Sequence, residues 1–259
     1  MPLILSALED STGTVTLNHN EKLNCFNREL ISEAIAALDR FEQAKAKVVV
    51  LRATPGANVW SAGHDINELP LGGDDPLGYS IPFEELLRRV ISFPAPVIAM
   101  IEGSVWGGAC DLALSCDILV GTTTASFTMT PAKLGIPYNA SGLNHFVRVM
   151  GLHKVKEMLF TAQPVPPEDA LRVGVLNHLV SPENLETFTY ALAARIKNNS
   201  PLAIRVIKEQ LRLLTQGHLM PVEAFEEIET MRRRVYQSED YREGITAFKE
   251  KRQPDFKGR

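Results

Sequence analysis

Apolar and polar positions alternate over residues 13–18, GTVTLN, where valine and leucine are separated by threonine, the period of a strand with one buried face. The short apolar run at 3–8 predicts a partner strand, and the two together predict an N-terminal hairpin. From 28 to 43, Leu30, Ile31, Ala34, Ile35, Leu38 and Phe41 recur at helical spacing behind Asn27, a candidate N-cap. KVVVLR at 47–52 shows no alternation and predicts a strand covered on both faces. LPLGGDDPLGYSIP at 69–82 reads as a surface loop. An amphipathic helix follows over 83–91, stopped before Phe93-Pro94. The run VIAMIEGSVWGGACDLALSCDILVG at 97–121 then predicts a buried strand, a glycine-rich bend, a short apolar helix and a second strand.

The second half reads differently. Residues 126–138, SFTMTPAKLGIPY, are punctuated by proline and predict an irregular loop. Helices are expected over 141–150, 152–161 and 167–173, a short strand over 177–180, and from 182 onward almost nothing but helix: 182–197, 201–215, 221–236 and 239–251, with Pro201 and Pro221 at first helical positions. The shift near residue 200 from mixed β/α to pure helix predicts a division into 1–200 and 201–259. No sequence repeat and no low-complexity tract is visible.

Composition narrows the function classes. The 259 residues, 45% hydrophobic and 22% charged, suffice for a large core. A net charge of −4 argues against a general nucleic-acid binder. Cys25, Cys110 and Cys116 form no CxxC pair or metal spacing, which fits a reducing cytoplasm. The first residues carry no basic leader and no run approaches the ~18 apolar residues of a membrane span, so neither secretion nor a membrane is expected.

The chemistry concentrates in two bends. At 103–108, Gly103, Gly107 and Gly108 remove side chains where the chain turns into a helix, so peptide N–H groups can be presented bare at a helix start. SAGHDINEL is a second such passage, with Ser61, Ala62 and Gly63 small, His64 next, and one helical turn over 65–69. Two such bends face to face are the hardware of an oxyanion hole. Glycines at a strand-to-helix bend also serve tight packing alone, and both uses stay open at this point. GxGxxG, GxxxxGK[ST], GxSxG and HExxH are absent. His19, His145, His153, His178 and His218 show no ligand spacing, and Arg232 to Arg234 read as a solvated or intersubunit helix face.

SAGHDINEL, PVIAMIEGSVWGGACDLALSCD and TPAKLGIPYNASG resemble the characteristic segments of the crotonase (enoyl-CoA hydratase/isomerase) superfamily, over almost the whole chain. Within it, EGSVWGGA, FTMTPAKLGIPYN and VYQSEDYREGITAFKEKRQPDFKGR are similar to the methylmalonyl-CoA decarboxylase branch. The resemblance implies an α/β fold, a spiral of ββα repeats, with C-terminal helices building a homo-oligomer, a trimer or a dimer of trimers. It implies an acyl-CoA substrate, no cofactor beyond that coenzyme A, and no metal. Its oxyanion donors fall on the N–H groups of His64 and Gly108. The acyl-CoA contacts fall on Lys22, Leu23, Ala62, Asp65 and Ile66, and on Phe248 and Lys251, the last two from a neighbouring subunit.

Departures from the hydratase pattern select the reaction. The two glutamates with which a hydratase handles water fall here at Asp111, one methylene shorter, and at Pro131, which can be neither acid nor base. Loss of CO2 from a malonyl-type thioester instead needs its enolate stabilised and the breaking bond aligned. Tyr138 and Thr130 stand where a hydroxyl could hold the substrate carboxylate. The expected activity is decarboxylation of such a thioester, methylmalonyl-CoA to propionyl-CoA and CO2. A hydratase or isomerase using Asp111 as acid/base, and a non-catalytic acyl-CoA binder, are the alternatives.

Overall fold

The expected hairpin forms from β1 (Ile4–Glu9) and β2 (Thr12–Leu17), paired antiparallel. Asp10 and Ser11 between them both have positive φ, 44° and 60°, the backbone a two-residue hairpin turn requires. The computed structural model describes residues 1–70, 75, 77–78, 81–215 and 221–258. Half of the loop expected over 69–82, and His218, lie outside the described residues.

Helix α1 (Arg28–Gln43) starts where its pattern says, and the side chain of Asn27 accepts from the Leu30 N–H at 2.8 Å. Its apolar stripe covers one face of a six-stranded sheet of order β1-β2-β3-β5-β7-β9, in which β3 (Val48–Ala53), β5 (Val97–Ile101), β7 (Ile118–Thr122) and β9 (His178–Val180) run parallel. α7 (Leu185–Lys197) packs on the other face, against Val48, Val50, Ile98 and Val120. Cover on both sides explains why β5 is apolar throughout and β3 is so but for Arg52, which pairs with Glu186 on α7 at 3.1 Å.

A second sheet was not expected. β4 (Val59–Ser61), β6 (Ser104–Trp106) and β8 (Ser126–Thr128) form three parallel strands, so residues 126–128 are strand where the sequence predicts only irregular loop. Each is three residues long, too short to show a period. With them the chain from 48 to 150 becomes three successive β-β-helix units: β3 and β4 with α2 (Pro82–Ile91), β5 and β6 with α3 (Gly108–Ser115), and β7 and β8 with α4 (Ala140–Met150). This is the spiral of repeats, present in three dimensions although no repeat is visible in the sequence.

The remaining helices are α5 (Leu152–Thr161), α6 (Pro167–Arg172), α8 (Pro201–Thr215), α9 (Val222–Tyr236) and α10 (Glu239–Lys249). Pro221 sits at the N-cap of α9, with ψ 143°, rather than inside the first turn. α8 has no buried residue and exposes Leu202, Val206, Ile207, Leu211, Leu213 and Leu214. α9 and α10 fold back over the loops of the spiral. Tyr241 donates to the Pro70 carbonyl at 2.6 Å and Tyr236 to that of Pro137 at 3.1 Å. Arg232 is 5% exposed and bridges Asp75 at 2.8 Å and Glu229 at 2.7 Å. It is thus an internal tie rather than part of the solvated or intersubunit face expected of the run, whereas Arg233 and Arg234 are exposed.

Candidate active site

In each of the three units, the second, three-residue strand ends in a bend, and the three bends meet. After β4 comes His64, after β6 the pair Gly107-Gly108, and after β8 Thr130 and Pro131; all of them line one cavity of about 70 Å3. Gly63 and Gly108 make the close approach possible. A Cβ on Gly63 would stand 2.5 Å from the Trp106 carbonyl oxygen and 3.1 Å from the Gly108 nitrogen, and one on Gly108 would stand 3.1 Å from the Phe83 ring and 3.9 Å from the His64 nitrogen. Gly107 needs no extra space but has φ 54° and ψ −127°, a backbone costly for any residue with a side chain.

Among the described residues, neither the His64 N–H nor the Gly108 N–H has a hydrogen-bond acceptor, although the flanking donors do. Phe26 donates to the Gly63 carbonyl at 2.7 Å, Asp65 to that of Phe26 at 3.0 Å, and Gly107 to that of Thr128 at 2.8 Å. Gly108 opens α3, so its N–H belongs to the first turn, which has no internal partner and carries the positive end of the helix dipole. The His64 ring stands edge-on to Phe83 with its centroid 6.1 Å away, and its Nδ1 is buried without a partner. Burial holds its pKa below the usual imidazole value despite Glu68 and Asp65, so the ring is neutral near pH 7.

The opposite wall is made of side chains. Tyr138 closes the cavity, with Ile66, Leu69, Leu77, Leu134 and Ile136 giving it an apolar lining. The tyrosine hydroxyl donates to Oδ2 of Asp111 at 2.9 Å, and Oδ1 of Asp111 pairs with Nδ1 of His145 at 2.9 Å. Asp111 has no exposed surface and is not on the cavity wall; it stands behind the tyrosine. Gly142 is glycine because Asp111 and the Tyr138 ring fill the space its Cβ would take, with Oδ2 only 2.6 Å away. Glu84, 6% exposed, accepts from Asn139 Nδ2 at 2.6 Å. Burial raises its pKa, the amide hydrogen bond opposes this, and the charge of Asp111 adds to the rise. Burial and then Asp111 push the Tyr138 hydroxyl well above its ordinary value, so it stays protonated.

Of the residues singled out in the sequence, Ala62, His64, Ile66, Gly108, Thr130 and Tyr138 come together around the cavity. Asp65 is buried beside them, its side chain capping the 3-10 turn Ile66–Glu68 by accepting from the Asn67 N–H. Lys22 and Leu23 sit next to the first bend, where the Ala62 N–H donates to the Leu23 carbonyl at 2.9 Å; Leu23 is exposed and has φ 52°. Phe248 and Lys251, at the exposed end of α10, are not on the cavity wall. The sequence missed Glu84, Asn139 and His145. His145 lies three residues after Gly142, on the helix face turned toward Asp111, and that spacing is the one signal that could have pointed to it. Among the described residues, no three His, Cys, Asp or Glu side chains are grouped as a metal site would require.

Comparison with known proteins agrees with this geometry. The enoyl-CoA hydratase/isomerase family matches residues 8–259. The chain is 46% identical over 249 residues to a methylmalonyl-CoA decarboxylase of Escherichia coli, covering 96% of this chain and 95% of that one. It is 29% identical to a short-chain-enoyl-CoA hydratase of Clostridium acetobutylicum, covering 97% and 96%. A solved methylmalonyl-CoA decarboxylase in complex with 2-nitronate-propionyl-CoA superposes with a TM-score of 0.97 at 45% identity, covering 99% of both chains. A second, complexed with 2S-carboxypropyl CoA, gives 0.97 at 44% identity, covering 100% of this chain and 99% of that one. The shared spiral, its paired bends and these likenesses place the chain in the enoyl-CoA hydratase/isomerase family, the crotonase superfamily.

Proposed function

We propose that this protein decarboxylates malonyl-type acyl-CoA thioesters, converting methylmalonyl-CoA to propionyl-CoA and CO2. One observation carries this reading: the two backbone N–H groups without an acceptor among the described residues belong to residues lining a cavity that has proline at the third bend, and Asp111, at the position of a hydratase glutamate, stands behind Tyr138. Such a site can hold negative charge on an oxygen but, among the described residues, has no carboxylate on its wall to activate water. The thioester oxygen would sit between the N–H groups of His64 and Gly108. The bond from Cα to the carboxyl carbon breaks, its electron pair moves into the thioester as an enolate, CO2 departs, and Cα takes a proton from water. Each well-placed donor is worth about 3 kcal/mol to the developing oxyanion. The hydroxyls of Tyr138 and Thr130 hold the carboxylate out of the thioester plane, so that the breaking bond overlaps the carbonyl.

The coenzyme A portion would run past Lys22, Leu23, Ala62, Asp65 and Ile66, and Phe248 and Lys251 would reach it from a neighbouring subunit. The apolar residues exposed along α8 support a homo-oligomer, a trimer or a dimer of trimers. No described helix is long and apolar enough to cross a membrane, and we place the enzyme in the cytoplasm. The enolate is held by backbone donors, so no cofactor beyond the substrate's own coenzyme A takes part.

The test is a parallel assay of methylmalonyl-CoA, malonyl-CoA and crotonyl-CoA, with and without EDTA. CO2 release from methylmalonyl-CoA should exceed crotonyl-CoA hydration by orders of magnitude and be insensitive to the chelator. Rapid hydration without CO2 release would replace this reading with a hydratase acting through Asp111. Binding of all three without turnover would leave an acyl-CoA binder.

A further inference from the structure

A line of three side chains leads from the cavity to the outer surface. The Tyr138 hydroxyl lies 2.9 Å from Asp111 Oδ2, Asp111 Oδ1 lies 2.9 Å from His145 Nδ1, and the His145 side chain is 29% exposed at a groove between α4 and α8. A substrate whose acyl group carries a carboxylate meets a difficulty at this wall. The tyrosine has a single proton and already donates it to Asp111. Behind it stand two buried carboxyl groups, those of Asp111 and Glu84. In a poorly solvated site, like charges repel strongly. The group able to offset them from direct contact with Asp111 is His145.

Resting on the decarboxylase reading, we propose that His145 is a positioning residue that makes the cavity accept a carboxylate: its imidazolium balances Asp111 and weakens that residue's hold on the Tyr138 proton, which turns to the substrate. The groups around His145 support a cationic ring. Its hydrogen bond to Asp111 raises its pKa above the ordinary imidazole value; burial opposes this, the charges of Asp111 and Glu84 add to the rise, and Arg148 on the same helix reduces it. The outer groove brings Lys208 and Arg212 from α8, with Asp117 paired to Lys208 at 2.7 Å, while Arg88 on α2 acts on Glu84. With the folded-state pKa raised, the imidazolium persists to higher pH than that of an ordinary imidazole and is lost as pH rises through the folded-state pKa. Above that point Asp111 is an unbalanced anion that keeps the tyrosine proton.

The test uses two thioethers that cannot form an enolate, 2-carboxypropyl-CoA and propyl-CoA, bound to the full-length protein and followed by calorimetry between pH 6 and 9. The coenzyme A part is common to both, so its own titration cancels in the ratio of their affinities. For the wild type, the preference for the carboxylate ligand should fall by about tenfold as pH rises, the effect of one pH unit of linkage between the two sites. His145→Gln, which keeps a donor for Asp111 but no charge, should show the low preference at every pH, and adding Asp111→Asn to it should bring the preference back. A wild-type ratio independent of pH and equal to that of His145→Gln would overturn the proposal, as would a double variant that stays low. Turnover is scored separately: absence of CO2 release from methylmalonyl-CoA would sink the decarboxylase reading, while the thioether ratios still report on His145.

Discussion

The three bends that build the cavity occupy the same place in three successive units of the spiral and yet present different groups to it. The first two, at His64 and Gly108, end their strands with peptide N–H groups that have no acceptor among the described residues. The third, after β8, runs into Pro131, which has no N–H, and then into the 3-10 turn Pro131–Leu134. The first two bends hold each other, since the space for a Cβ on Gly63 is filled by the backbone of Trp106 and Gly108. The third leans on the C-terminal helices instead: a Cβ on Gly135 would stand 2.8 Å from the Asp240 carbonyl, and the backbone of Leu134 presses on Gly244 in α10. A repeated scaffold thus supplies two donors by conformation alone and leaves the third position to side chains, Thr130 and, beyond it, Tyr138.

The severest break of this comparison is to remove what supports the third bend. A chain ending near residue 200 lacks α9 and α10, with their ties from Arg232 to Asp75 and from Tyr241 to Pro70. It should lose both assembly and measurable CoA affinity, read by light scattering and calorimetry; a monomer that still binds CoA normally would show the third bend to be self-supporting.

Breaking the second bend comes next. Gly108→Val puts a branched side chain against Phe83 and tilts the donor, so kcat for CO2 release should drop by about 100- to 1000-fold, the loss of one oxyanion donor. Full activity in a folded, correctly assembled variant would mean that this glycine serves packing alone. On the side-chain wall the expected effect is smaller. Tyr138→Phe removes one hydroxyl and keeps the ring packed edge-on to Phe146, so decarboxylation should fall roughly thirtyfold while propionyl-CoA binding hardly moves. Unchanged turnover would shift the orienting role to Thr130 or to the His64 ring.

The smallest effect sharpens the contrast by measuring how much charge the side-chain wall stores. Glu84 has a raised folded-state pKa. Its protonated form is favoured by folding, and stability is lost as pH climbs above the usual carboxylate value. Glu84→Gln should therefore raise Tm by about 2–4 °C at pH 7, equivalent to about 1 kcal/mol, and the gain should shrink as pH falls toward 4.5. An equal or larger gain at low pH would contradict a buried ionised Glu84.

Local pattern was enough to determine α1 with its Asn27 cap, the hairpin, the apolar central strands and the helices of the C-terminal third, because in each a run of ten or so residues carries its own period or capping signal. The family segments likewise singled out His64, Gly108, Thr130 and Tyr138, which the fold brings to the wall of one cavity. The β4-β6-β8 sheet was not legible, since strands of three residues are stabilised by parallel partners about 20 to 45 positions away and leave no period in the sequence. Nor was the burial of Arg232, or the line from Tyr138 through Asp111 to His145. Those depend on which side chains the spiral brings within hydrogen-bond reach across 27 and 34 positions of chain, and only the packed fold, by withdrawing water from Asp111, makes such a contact decide charge and chemistry.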